Sequence, residues 1–232
     1  MEWFQTWSAD FCDTFTRCFI KDNRYMLLLD GIGVTIRVSL VAVLIGIAIG
    51  LLIALCNLSS NKLLKVIGGI YTDVIRGTPS VTQLMIIYFV IFASVNLSKW
   101  IIAAIAFGIN SGAYVSEIIR AGILSVDKGQ TEAGRSLGLS ASQTMTRIVI
   151  PQAVKNIFPA LCNEFIVLIK ETAIVGYVGL MDIQKAGDFI KSATFEAFMP
   201  LIGTAIIYYV LIKILTLVLS RIESRLRASE VR

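Results

Sequence analysis

The chain has 232 residues, 56% of them apolar and 16% charged, with a mean hydropathy of +0.78; this is membrane-protein composition, and a water-soluble core so apolar would aggregate. The formal net charge is +5, but the basic residues are scattered and no Lys/Arg run is interleaved with aromatics, so membrane topology explains them better than a nucleic-acid surface does. Histidine is absent, which removes Ser-His-Asp and Cys-His nucleophile pairs and the commonest metal ligand.

Residues 1–29 mix acids, bases and aromatics without the apolar core of a cleavable signal peptide. Phe4, Trp7, Phe11 and Phe15 follow helical spacing, which predicts an amphipathic helix lying in the membrane interface. Cys12 and Cys18 are placed for a disulfide only if this segment is exported, whereas Cys56 and Cys162 lie in apolar tracts and are simplest as packing residues. A first span is expected over Gly31 to Cys56, interrupted only by Arg37; at about 1.5 Å per residue it easily crosses a core of roughly 30 Å. Gly46 and Gly50 form a GxxxG, which either permits close helix packing or is chance in a Gly-rich span.

A moderately apolar run from Leu63 to Ile75 is interrupted by Arg76-Gly77-Thr78-Pro79, where proline restricts Thr78 and removes a donor, so a kink or the entry to a second span through Val81–Leu97 is expected. A short turn at Asn96–Lys99 leads to a third span from Trp100 to about Arg120. One helix through both would overshoot the bilayer and bury Lys99, so a hairpin is preferred.

Asp127 to Pro151 is a polar island. Asp127 with Gln130 and Ser140 with Gln143 both have capping-box spacing, and Gly138 stands where a left-handed C′ residue ends a helix. A helix, a glycine corner and a second helix are expected. The fourth span follows over about Val149–Ile169, punctuated by Pro151 and Pro159 and carrying Lys155, Asn163 and Glu164. Lys170 to Glu196 is a second polar connection, in which Asp182 to Lys191 suits an amphipathic surface helix. Pro200 sits where an N1 proline belongs, Leu201–Leu219 makes the fifth span, and residues 221–232 form a basic tail.

Within the polar island, Glu132, Ala133, Gly134, then Gly138, then Ile148, Ile150 and Pro151 resemble the EAA loop, the cytoplasmic signature of the membrane subunits of bacterial ATP-binding-cassette importers. Gly134 stands for the usual second Ala and Ile150 for the Leu. Leu29-Asp30-Gly31 with Thr35, Arg76-Gly77-Thr78-Pro79 with Gln83, the Tyr114–Gly122 stretch, Lys128-Gly129-Gln130, Pro159 to Glu164 and Lys170-Glu171-Thr172 are similar to the polar amino-acid branch of these permeases. Cys162 stands where a small residue is usual, and the N-terminal 25 residues match poorly.

The resemblance implies an all-α polytopic protein with five transmembrane helices and the type I ABC importer permease fold, in the bacterial inner membrane. Residues 30–220 form its transmembrane domain, with the coupling loop at 127–151. It implies a pair of permeases (two copies or this chain and a paralogue), an ATP-binding subunit on each elbow and an extracytoplasmic solute-binding protein. Glu132, Ala133, Gly134, Gly138 and Leu139 are the implied ATPase contact. The chain has no G-x-x-x-x-G-K-[ST], so ATP and Mg are expected on the partner, no cofactor on this chain, and no enzymatic activity of its own. With the tail inside, eleven Lys/Arg lie in cytoplasmic segments and seven outside, which favours N-out, C-in and puts the elbow where an ATPase can reach it.

Glu164 inside a span costs on the order of 3 kcal/mol at a helix centre, so it is expected to face a partner or an aqueous cavity. It either recognises a cationic group of the substrate or pairs with Lys170 or another helix's base; Asn163-Glu164 resembles the form in importers of basic amino acids. Glu164, Asn163, Lys170 and Gln83 are the candidate substrate-binding residues, and Arg76, Pro79 and Glu117 the gating or structural ones. The competing class is an ion-coupled secondary transporter, which would need intramembrane charge networks or inverted repeats; the sequence offers isolated charges and no convincing repeat.

Overall fold

The computed structural model describes residues 10–228, whose regular elements are all helices, without strands. Phe4 and Trp7 of the expected interfacial helix lie outside the described residues. Residues 10–15 are helical and run into a π-helical turn at Thr16–Ile20. Phe11, Phe15 and Ile20 are exposed, while Phe19 rests against Gly203. Cys12 and Cys18 are both free, and Cys18 is buried with its thiol 3.9 Å from the Thr194 hydroxyl.

Helix α1 (Tyr25–Leu58) packs most extensively on α4 (Lys99–Leu124). The GxxxG is a packing device, because a Cβ at Gly50 would lie 2.5 Å from Val115 Cγ1 and one at Gly46 would lie 2.9 Å from Ser111 Oγ. A reciprocal pair on α4 completes it, with Gly108 pressed on Ile45 and Gly112 on Ile49. Glycines on both sides let the two backbones approach where lipid supplies no hydrophobic drive. At the end carrying Lys99, Arg37 lies over the Trp100 ring, 5.4 Å from its centroid, so the lone charge of the first span is placed against an aromatic face.

Helix α2 (Lys62–Arg76) starts at Asn61, whose side chain accepts from Leu63 N, and is strongly amphipathic. The chain then bends by 103° at Gly77–Pro79 into α3 (Ser80–Ile86) and a π-helical turn at Ile87–Ile91. Gln83 clasps the break. Its amide nitrogen donates to Ile75 O, Thr78 O and Thr78 Oγ1, and its oxygen accepts from Asn110. The helical stretch from Ser80 to Ile91 ends short of the expected Leu97; at about 18 Å it is too short to cross a core of roughly 30 Å alone. The straight span expected from Val81 is thus replaced by a bent pair of helices, α2 and α3, which is either one broken span or a re-entrant loop.

Among the described residues three helices, Tyr25–Leu58, Lys99–Leu124 and Phe198–Arg225, are long and apolar enough to span a membrane, and four if the bent pair counts as one. The stretch expected as the fourth span folds as helix α7 (Ile150–Glu171), 22 residues long and containing Pro159. Its length suits a bilayer, but Gln152, Lys155, Asn156, Asn163, Glu164 and Lys170 make it too polar to stand among these apolar helices.

Helix α8 (Ile183–Thr194) is the amphipathic helix expected there, exposed at Lys185 and Phe189, with its other face packed into the bundle. Ile183, Ala186, Gly187 and Ile190 are buried, and the helix is wedged between α1 and α9 (Phe198–Ala228). Gly31 allows the approach from α1, since a Cβ there would fall 2.7 Å from the Asp182 carbonyl carbon. Asp182 caps α8 by accepting from Gln184 N and Lys185 N, and takes a third bond from the Tyr208 hydroxyl at 2.9 Å. Burial raises the Asp182 carboxyl above its ordinary range, against these hydrogen bonds, which pull it down.

Candidate translocation cavity and coupling elbow

A cavity of about 880 Å³ opens between α4, α7 and the end of α2. Its charged and polar lining consists of Arg76, Tyr114, Glu117, Ser125, Asn156 and Glu164. Glu164 is 8% exposed and accepts a 2.7 Å hydrogen bond from the Ser111 hydroxyl, so its partner comes from α4, not from Lys170. Glu117 is paired with Arg120 one turn on, at 2.7 Å, and Arg76 lies over the Tyr114 ring, 5.5 Å from its centroid. Pro159 lines the same cavity and contributes no N–H to the α7 hydrogen-bond ladder. Asn156 donates to Ser125 Oγ and ties α7 to the end of α4.

The cavity brings together Glu164, Arg76 and Glu117 of the residues singled out by sequence. Asn163 and Lys170 are exposed and do not line it, because successive helical positions diverge by a large angle. Gln83 is buried in the clasp of the α2–α3 break, and Pro79 is the extended residue ahead of α3. Ser111 and Tyr114 were missed: a hydroxyl or a tyrosine on an apolar helix carries no periodic signal, and only the facing of α4 and α7 selects them.

The elbow has the expected form with one change. Asp127 caps α5 (Lys128–Ser136) through Gly129 N at 2.6 Å, without the return bond from Gln130 that a full box requires. Gly138 is left-handed at φ +82°. Ser140 and Gln143 form the complete capping box of α6 (Ala141–Thr144), which continues through a π-helical turn at Met145–Val149 into α7. Gly134 is buried against Thr144 and Ile148, where a Cβ would lie 2.8 Å from Thr144 Cγ2, so the small residue locks α5 onto the second arm. Glu132 and Ala133 are exposed, Leu139 half-buried, and Leu137 presents its side chain with 82% exposure.

A helical bundle with lipid-suited faces, a charged cavity between two of its helices, and a rigid capped elbow at one end is the architecture of a membrane translocation unit. Over residues 46–228 the chain matches the family described as the binding-protein-dependent transport system inner membrane component, and it belongs to that family. It is 41% identical over 208 residues to the putative glutamine transport system permease protein GlnP of Rickettsia bellii, which covers 89% of this chain and 95% of the relative. It is also 41% identical over 205 residues to the arginine transport system permease protein ArtQ of Bacillus subtilis, covering 88% and 94%. Among solved structures it is similar to a chain in the crystal structure of an amino acid ABC transporter with histidines, with a TM-score of 0.82, 44% identity, and coverage of 89% and 98%. The inward-facing MetNI methionine ABC transporter, at 18% identity and TM-score 0.75 over 87% and 96% of the two chains, shares the fold. The chain is thus an ABC transporter permease subunit, which is not itself an enzyme.

Proposed function

We propose that this chain is the transmembrane permease subunit of an ATP-driven importer for a polar, basic amino acid, working by alternating access in the bacterial inner membrane. Five crossings, N-out and C-in, divide it into an extracytoplasmic or interfacial segment (1–29), a transmembrane domain (30–220) and a cytoplasmic tail (221–232). The observation that carries the substrate reading is Glu164, a carboxylate at the wall of the α4–α7 cavity held by a neutral hydroxyl and not by a base. A cationic side chain is the complement that a desolvated carboxylate favours. Arg76 and Glu117 are its gating charges. Gln83 acts through the bend, and Asn163 and Lys170 act where a second permease, a copy or a paralogue, closes over the exposed face of α7.

The elbow is the ATPase contact, with Glu132, Ala133 and Leu137 facing outward and Gly134, Gly138 and Leu139 giving it shape. ATP and Mg are held by that partner, and an extracytoplasmic binding protein delivers the amino acid. The names of the relatives, for glutamine and arginine, support a polar amino acid, and the arginine permease agrees with a basic one. The test is uptake of labelled arginine, histidine, glutamine and cystine into proteoliposomes holding this chain, its ATPase and its binding protein. ATP-dependent uptake of a cationic amino acid is expected. Uptake that follows an ion gradient without the ATPase would replace this reading with an ion-coupled transporter.

A further inference from the structure

A second hollow, of about 420 Å³, lies between the end of α1, the first turns of α2 and the end of α4, lined by Asn57, Lys65, Gly69, Thr72, Glu117 and Arg120. Two adjacent glycines border it. Gly68 lets α2 press on Asn57 of α1, whereas a Cβ at Gly69 would meet nothing within 4 Å. Most of its polar groups are satisfied: the Thr72 hydroxyl donates to Gly68 O and Gly69 O, and Arg120 holds Glu117 through Nε and Nη2. The Lys65 ammonium has no hydrogen-bond partner among the described residues. Two cations against one carboxylate leave one positive charge uncompensated.

We propose that this hollow binds the phosphate headgroup of an anionic phospholipid. Lys65 lies three residues into α2 and Arg120 four residues before the end of α4; at about 1.5 Å per residue both stand roughly one turn inside the helix ends, the depth of the headgroups. The hollow also carries apolar surface for the acyl chains. Leu58 and Leu124 line it beside the charged groups, and Leu124 is 61% exposed. A free phosphate would meet the same charge but gain nothing from that face, and this continuity of charge with an apolar surface favours the lipid. The Glu117–Arg120 pair also walls the central cavity, since Glu117 lines both hollows. A headgroup that draws on Arg120 therefore bears on a residue of the translocation cavity. The inference rests on the proposed orientation only in assigning the lipid to the cytoplasmic leaflet.

The test is native mass spectrometry of the full-length chain in detergent, with equal phosphatidylglycerol and phosphatidylethanolamine added, for wild type, Lys65→Glu, Gly69→Leu and the opposite-end control Lys185→Glu. Wild type and Lys185→Glu should retain phosphatidylglycerol preferentially, and the preference should fall about fivefold or more in the other two. Gly69→Leu fills the hollow without removing a charge or a contact, so its loss of lipid would locate the site. No preference in wild type, an unchanged preference in both variants, or displacement by millimolar inorganic phosphate would overturn the proposal. Micelles have no sides, so the result is independent of whether the orientation holds.

Discussion

At the level of single residues the cavity is defined by the different fates of its charges. Glu117 is neutralised by Arg120, and Arg76 faces an aromatic ring. Glu164 is held by one hydroxyl, which leaves its carboxylate with spare acceptor capacity. A charge-assisted hydrogen bond contributes about 1.5–3 kcal/mol. Glu164→Gln is therefore expected to weaken uptake of arginine about tenfold or more, while ATP-driven uptake of a neutral amino acid, if the wild type carries one, changes little. Equal loss for both substrates in the proteoliposome assay would show that the carboxylate serves the helix pair and not the substrate.

The sequence exposed Glu164 for a physical reason: a charge in an apolar tract is costly wherever it points, so it stands out without knowledge of the fold. Gln83 did not reveal its role in the same way. Its partners lie at positions 75, 78 and 110, and only the 103° bend brings them together. Neutral amides and hydroxyls are inexpensive in many settings, so their identity alone does not separate a substrate ligand from a clasp.

Among the helical elements, the elbow was legible because caps and left-handed glycines are local. Ser140, Gln143 and Gly138 act within a few residues of themselves. The reciprocal glycines of α4 were not read, since Gly108 and Gly112 sit amid Asn110 and Ser111 and gain meaning only opposite Ile45 and Ile49. The two features predict different failures. Gly138→Ala forces a side chain into the left-handed region at about 1–2 kcal/mol, and Ser140→Ala removes a cap worth about 1 kcal/mol. Both should lower ATP-driven uptake and raise protease sensitivity at the elbow, with the melting temperature of the membrane part little altered. Gly50→Leu should do the reverse. Overpacking against Val115 costs about 1–3 kcal/mol or more, so the variant is expected to melt earlier in detergent than wild type, with the elbow still resistant to protease.

Across the whole molecule, apolar runs in the sequence point to five crossings, whereas length and apolarity of the folded helices select three, or four with the bent pair. The difference lies in α7. Its polar residues include the cavity wall at Asn156 and Glu164, so under the proposed function the helix that lines the translocation path is disqualified by the composition that suits it to that task. If α7 crosses, the elbow before it and the Glu196 region after it lie on opposite sides of the membrane. In a chain with Cys12, Cys18, Cys56 and Cys162 replaced by Ala, Thr131→Cys and Glu196→Cys would be probed in intact cells with a membrane-impermeant maleimide. Residue 196 should label in intact cells and residue 131 only after lysis. A third probe, Ser224→Cys, should behave like residue 131, because in the proposed orientation α9 returns the chain to the cytoplasm. Labelling of 131 and 196 from the same side would make α7 a re-entrant or surface helix, and would change the route by which movement of the elbow reaches the cavity at Glu164.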